Sequence, residues 1–191
     1  SRSIPTLQGY ILDKCIFDAQ GTEAFMQLLE EENSSLVMVR LDSCEISEHD
    51  KNRIATSLAE NSKLPAFSLD DALEGTSADA FAEGLAKSRH LRHVEFHGCC
   101  HDALEKLTRA MASNTTIMSV DISGKKAGDS SDSSASSLNE CCKHYTALNR
   151  AGRKYLREDV DRLNDETIEN AWLRILSENL HDHPIVFSLL R

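Results

Sequence analysis

Three groups of residues in this 191-residue chain have the types and spacing to do chemistry. His93, Glu95 and His97 alternate along one short stretch, so on a strand all three would face the same way. Two imidazoles and a carboxylate are zinc ligands, and Asp70 or Asp121 could complete the set. However, residues i and i+4 on a strand stand roughly 13 Å apart. Both imidazoles cannot reach one ion over that span, so the trio reads as a polar strand face. His181, Asp182 and His183 precede Pro184, where a turn accounts for their polarity without acid–base chemistry. Cys141 and Cys142 are adjacent, but nothing near them would lower a thiol pKa. The chain has no phosphate loop, nucleophile elbow or Gly-rich dinucleotide fingerprint. The expectation is a protein that is not an enzyme and needs no cofactor, with a metal or catalytic site at His93, Glu95 and His97 as the weakest alternative.

The elements that carry these residues follow from a repeat. Leu7-x-x-Tyr10-x-Leu12-x-x-Cys15-x-Phe17 is matched by Leu36-x-x-Val39-x-Leu41-x-x-Cys44-x-Ile46. Weaker copies are Leu64-x-x-Phe67-x-Leu69-x-x-Ala72, Leu91-x-x-Val94-x-Phe96-x-x-Cys99 and Ile117-x-x-Val120-x-Ile122. The copies start at 7, 36, 64, 91 and 117, giving spacings of 29, 28, 27 and 26 residues. Each opens with a short alternating stretch that reads as a strand, such as residues 37–41. Each of the first four continues with helical spacing: Ala24, Phe25, Leu28 and Leu29, then Ile54, Ala55, Leu58 and Ala59. Phe81, Ala82 and Leu85, and then Leu104, Leu107, Ala110 and Met111, do the same. Asn33, Asn61 and Asn114 recur at the expected helix ends, with Ser88 in the third copy. Asn tolerates the left-handed conformation of a helix C-cap.

This pattern and period resemble the leucine-rich-repeat family, in its ribonuclease-inhibitor-like subclass, over residues 5 to about 123. The resemblance implies an α/β solenoid, with parallel strands on a concave side and helices on the convex side. It also implies that Cys15, Cys44 and Cys99 form a buried column bonding to the backbone of adjacent turns, with Ala72 as a gap. With aromatics at only 5%, the layers should be aliphatic, with no aromatic cluster organising the fold.

Outward strand positions then fall into three columns. The first is Gly9, Met38, Ala66, His93 and Ser119; the second is Ile11, Arg40, Ser68, Glu95 and Asp121. The third is Asp13, Asp42, Asp70, His97 and Ser123. Neighbouring strands lie about 4.8 Å apart, so three stacked aspartates would repel one another. A basic partner or a cation would relieve that repulsion, as would hydrogen bonds from the loops that follow each strand. The partner-binding set read from these columns is Asp13, Arg40, Asp42, Asp70, His93, Glu95, His97 and Asp121.

After Ile122 the fifth copy shows no helix, and a Ser/Asp-rich run follows. The domain reading is an array of about four and a half repeats at 1–124, a flexible linker at 125–137, and a helical C-terminal cap or docking region at 138–191. Trp172 is expected to pack within that last region.

Net charge is −10, which argues against a phosphate-backbone binder and so against nucleic acid. No apolar run approaches the roughly 18 residues of a membrane span, so no membrane insertion is expected. The six cysteines match no disulfide framework, which points to an intracellular, reducing compartment. The functional expectation is a non-catalytic scaffold that holds a basic protein partner on an acidic concave face, within a hetero-oligomeric assembly. The alternative is a structural subunit of a large organelle or membrane-associated complex.

Overall fold

The computed structural model describes residues 9–30, 36–60, 63–124 and 133–150, together with two helical positions, Leu173 and Ser177. Strands and helices alternate strictly. They are β1 (Gly9–Asp13), α1 (Ala19–Glu30), β2 (Met38–Asp42), α2 (Glu48–Glu60), β3 (Ala66–Asp70) and α3 (Gly75–Lys87). β4 (His93–Cys99), α4 (His101–Ser113), β5 (Ser119–Gly124) and α5 (Ser133–Arg150) follow. The strands form one parallel sheet in the order β1-β2-β3-β4-β5. Parallel neighbours need a crossover, and each of the first four helices supplies one.

Register places the repeat positions in rows. Tyr10, Val39, Phe67, Val94 and Val120 pair across the sheet, and so do Leu12, Leu41, Leu69, Phe96 and Ile122. Val39, Leu41 and Phe96 are fully buried. The apolar stripes of the helices cover this face: Phe25, Met26 and Leu29 of α1, Ile54, Ala55 and Leu58 of α2, and Ala103, Leu104 and Leu107 of α4. All five strands and all five helices contribute to one continuous core. The opposite face of the sheet has no described helix over it.

Several expectations change. Aromatics do cluster: Phe67, Phe81 and Phe96 meet with ring centroids 5.4 to 6.3 Å apart. Phe67 and Phe96 sit diagonally on adjacent strands, two positions apart in register, and Phe81 lies on the helix between those strands. The fifth unit does have a helix. α5 packs on α4 and β5, and it begins at Ser133, inside the segment read as linker. The sequence shows helical spacing only from Leu138 and hides the start, because the first turn is all serine and alanine.

Asn114 works differently from the cap expected of it; Asn33 and Asn61 lie outside the described residues. Asn114 is extended (φ −78, ψ 135), not left-handed. Its buried amide instead ties two units together. Nδ2 donates to Leu85 O and Ser88 O at 2.7 and 2.9 Å, and Oδ1 accepts from Thr116 N and Ile117 N at 2.7 and 2.8 Å. Asn149 repeats the first half of this arrangement, donating to Asn114 O and Ile117 O at 3.1 and 2.7 Å. Ser88 supplies a shorter version, its hydroxyl accepting from Leu91 N at 3.3 Å.

The thiol column exists only in part. Cys44 Sγ donates to Leu12 O at 3.3 Å, across to the neighbouring unit, whereas Cys15 is half-buried and donates to Asp13 O in its own unit. At Ala72 the gap is bridged by the buried Lys51, whose ammonium reaches Ala72 O at 2.9 Å and Asp71 at 2.7 Å.

Candidate functional site

The open face of the sheet carries the outward columns. Their members pair as counted: Gly9, Met38, Ala66, His93 and Ser119 in the first, and Ile11, Arg40, Ser68, Glu95 and Asp121 in the second. In the third, Asp13 pairs with Asp42, Asp42 with Asp70, and Asp70 with His97. Because the strands are parallel, the aspartates line one edge of the face.

Asp42 is paired within its own strand. Arg40, two residues back on β2, places Nε 2.8 and 2.7 Å from its two carboxylate oxygens. That hydrogen-bonded pair raises the Arg40 pKa, with Glu95 and Asp70 adding to it from nearby. The loops do not use the carboxylates: Lys14 N and Ser43 N donate to the main-chain oxygens of Asp42 and Asp70 at 2.9 and 3.2 Å. Both residues sit in the left-handed region (φ 53 and 50), so each turn bends sharply just past its aspartate. Asp13 and Asp70 stay exposed, with no ion pair among the described residues.

The histidines part company. His97 Nδ1 lies 2.8 Å from Ser123 Oγ, while His93 is exposed on the far side of Glu95. Among the described residues, no group of three or more His, Cys, Asp or Glu side chains is placed to hold a metal. Cys141 is exposed; Cys142 is buried against Thr108 at 3.2 Å, and burial raises its thiol pKa. Burial pushes the Cys99 thiol up to about 12. His181, Asp182, His183 and Trp172 lie outside the described residues.

At the centre of the open face is a groove of about 390 Å³, lined by Ile11, Met38, Arg40, Ala66, Ser68, His93 and Glu95 among others. Sequence reasoning placed Ile11, Met38 and Ser68 in the columns but left them out of the binding set. The signal was present: Ile and Met at outward strand positions are apolar side chains turned to solvent, and they are 62% and 38% exposed. Ser68 is the reverse, an outward polar residue that is only 4% exposed. The face is thus apolar beside the groove and acidic along one edge, not acidic throughout.

These strands and helices give an α/β protein of leucine-rich-repeat-like type. A solved structure named "Leiomodin-1 Actin-Binding Site 2 (ABS2)" matches with a TM-score of 0.61 and 16% identity, covering 83% of this chain and 89% of that one. At that identity the likeness speaks to fold alone. No family model matches the chain, and no curated protein matches it in sequence. Among the described residues, no helix is long and apolar enough to cross a membrane.

Proposed function

We propose that this protein is a non-catalytic interaction module: a short leucine-rich-repeat solenoid that holds a protein partner on the open, concave face of its sheet. The observation that carries this reading is the groove of about 390 Å³ on the sheet face that no described helix covers. Apolar side chains beside it and carboxylates around it are the mixture expected of a protein-binding surface. Asp70, Glu95 and Asp121 have no ion pair among the described residues, so the partner that fits is basic. A likeness to a domain named for binding actin, itself a protein, is compatible with this role. In this reading α5 completes the last unit, and the segment beyond it caps the array or makes a second contact.

The test is capture from native extract of the source cells by immobilised wild-type chain and by the double variant Asp70→Lys/Asp121→Lys. Both aspartates are exposed, so charge reversal should leave the fold intact. Proteins bound by the wild type and lost from the variant support the reading. Identical sets on both would overturn it.

A second reading, a structural subunit of a larger assembly, is favoured by an apolar recess of about 290 Å³ at the β1/α1 end, where Ile16 is 74% exposed. Light scattering on the purified chain discriminates, because a well-behaved monomer at high concentration speaks against it.

A further inference from the structure

The central strand holds a group that the fold leaves without a partner. Ser68 pairs with Arg40 on one side and Glu95 on the other. It is 4% exposed and lines the groove, yet its hydroxyl makes no hydrogen bond. A buried hydroxyl in that state costs stability, and alanine would fill the position without that cost. The charge around it is net negative. Arg40 lines the same groove, but its Nε–H is given to both oxygens of Asp42, which offsets its charge. Glu95 beside Ser68, Asp70 two residues further along β3 and Asp121 beside Glu95 have no ion pair among the described residues. The apolar side chains of Ile11 and Met38 stand next to them, exposed.

We infer that this groove takes the side chain of a lysine in a partner polypeptide, with apolar residues flanking that lysine. The inference rests on the interaction reading and specifies its partner. A primary ammonium is a compact charge with three donors, which suits separate acceptors, the Ser68 hydroxyl and the Glu95 carboxylate of the groove lining. A guanidinium, with five donors in a fixed planar fork, suits a bidentate carboxylate instead. The apolar rim selects a polypeptide over a free amine. Apolar neighbours of the lysine would cover Ile11 and Met38, whereas an alkylamine would leave both in water.

The experiment is an NMR titration of the nitrogen-15-labelled full chain with a blocked seven-residue peptide carrying one lysine between two leucines. Saturable amide shifts are expected at 66–68 and 93–95. Acetylating the lysine Nε, or replacing Glu95 in Glu95→Gln, should each weaken binding about tenfold, since each removes a charge-assisted hydrogen bond. Ser68→Ala should weaken it severalfold while preserving the dispersed spectrum. The inference is overturned if millimolar peptide produces no shifts, if the shifts fall elsewhere, or if the acetylated peptide binds as well. n-Butylammonium matching the peptide's affinity would overturn the choice of a polypeptide. A silent titration alongside capture that still responds to Asp70→Lys/Asp121→Lys removes the lysine groove and leaves the interaction reading standing. A silent titration alongside unresponsive capture removes both.

Discussion

Ser68→Ala should make the free protein more stable. The native hydroxyl is buried with no partner, and an unsatisfied buried polar group costs about 1–3 kcal/mol. Alanine is the poorer strand former, but the whole strand-propensity scale spans only about 1 kcal/mol. The change in volume is one oxygen atom at a site lining a groove, so little cavity term arises. The expected net gain is about 1 kcal/mol, which for a chain of this size raises Tm by about 2–4 °C. Urea denaturation and calorimetry measure it; the midpoint should rise with m unchanged, since the surface exposed on unfolding is unaltered. Ser57 on α2 is the matched control. Its hydroxyl is also buried without a partner, but it faces the interior, at 2% exposure. Ser57→Ala should gain a similar amount, plus a few tenths of a kcal/mol of helix propensity, and leave the open face unaffected. A Ser68→Ala chain that unfolds at lower urea with unchanged m would refute the reasoning, because it would mean the hydroxyl has a partner worth keeping.

Four further outcomes are expected. Asn114→Ala strips two carbonyls and two N–H groups of their partners at a site 2% exposed; a loss of about 3 kcal/mol in urea midpoint analysis is expected. Gly84→Ala would put a methyl 2.7 Å from Ala55 O, forcing α2 and α3 apart; calorimetry should show a loss of about 2 kcal/mol. Glu48 accepts from Ser77 N at 2.6 Å and from Thr76 Oγ1 at 3.0 Å, capping α3 from the neighbouring helix. Burial pushes its carboxyl up, but these hydrogen bonds and nearby Lys51 outweigh that and hold it below the usual 4.5. A carboxylate lowered in the folded state contributes fully above its ordinary pKa and loses that contribution as pH falls through the lower folded value. The stability gap between wild type and Glu48→Gln, about 1 kcal/mol near neutrality, should therefore shrink below pH 4.5 in acid titrations of Tm. In thiol labelling of the native chain, exposed Cys141 should react first, with Cys44, Cys99 and Cys142 protected by burial and raised pKa values; fast labelling of Cys99 would contradict its burial.

The rows of the sheet were legible because a strand has period two and the repeat fixes where each strand begins. Once Leu12, Leu41, Leu69 and Phe96 were aligned, the register of their outward neighbours followed, and so did the three columns. What the sequence hid depended on side-chain geometry. Nothing in the string says that Arg40 folds back onto Asp42, because that bond depends on two residues of one strand facing the same way with a matching reach. Nor could a serine between Arg40 and Glu95 be recognised as buried, since serine at an outward position ordinarily meets water. The start of α5 escaped, because the turn before Leu138 lacks apolar spacing. Asn114 was recognised by its recurrence, yet its role was misjudged, because the cap rule concerns one helix and the amide serves two units at once.

The interaction account meets its most direct test in the affinity of a captured partner for three chains: wild type, Asp70→Lys/Asp121→Lys on the open sheet face, and Glu30→Lys/Glu60→Lys on the exposed helical side. The two variants change net charge equally, so they differ only in where the charge is placed. The account predicts at least a tenfold loss for the sheet-face variant, about 1.4 kcal/mol, with the helical variant unchanged. Equal losses in both, or none in the first, would contradict it.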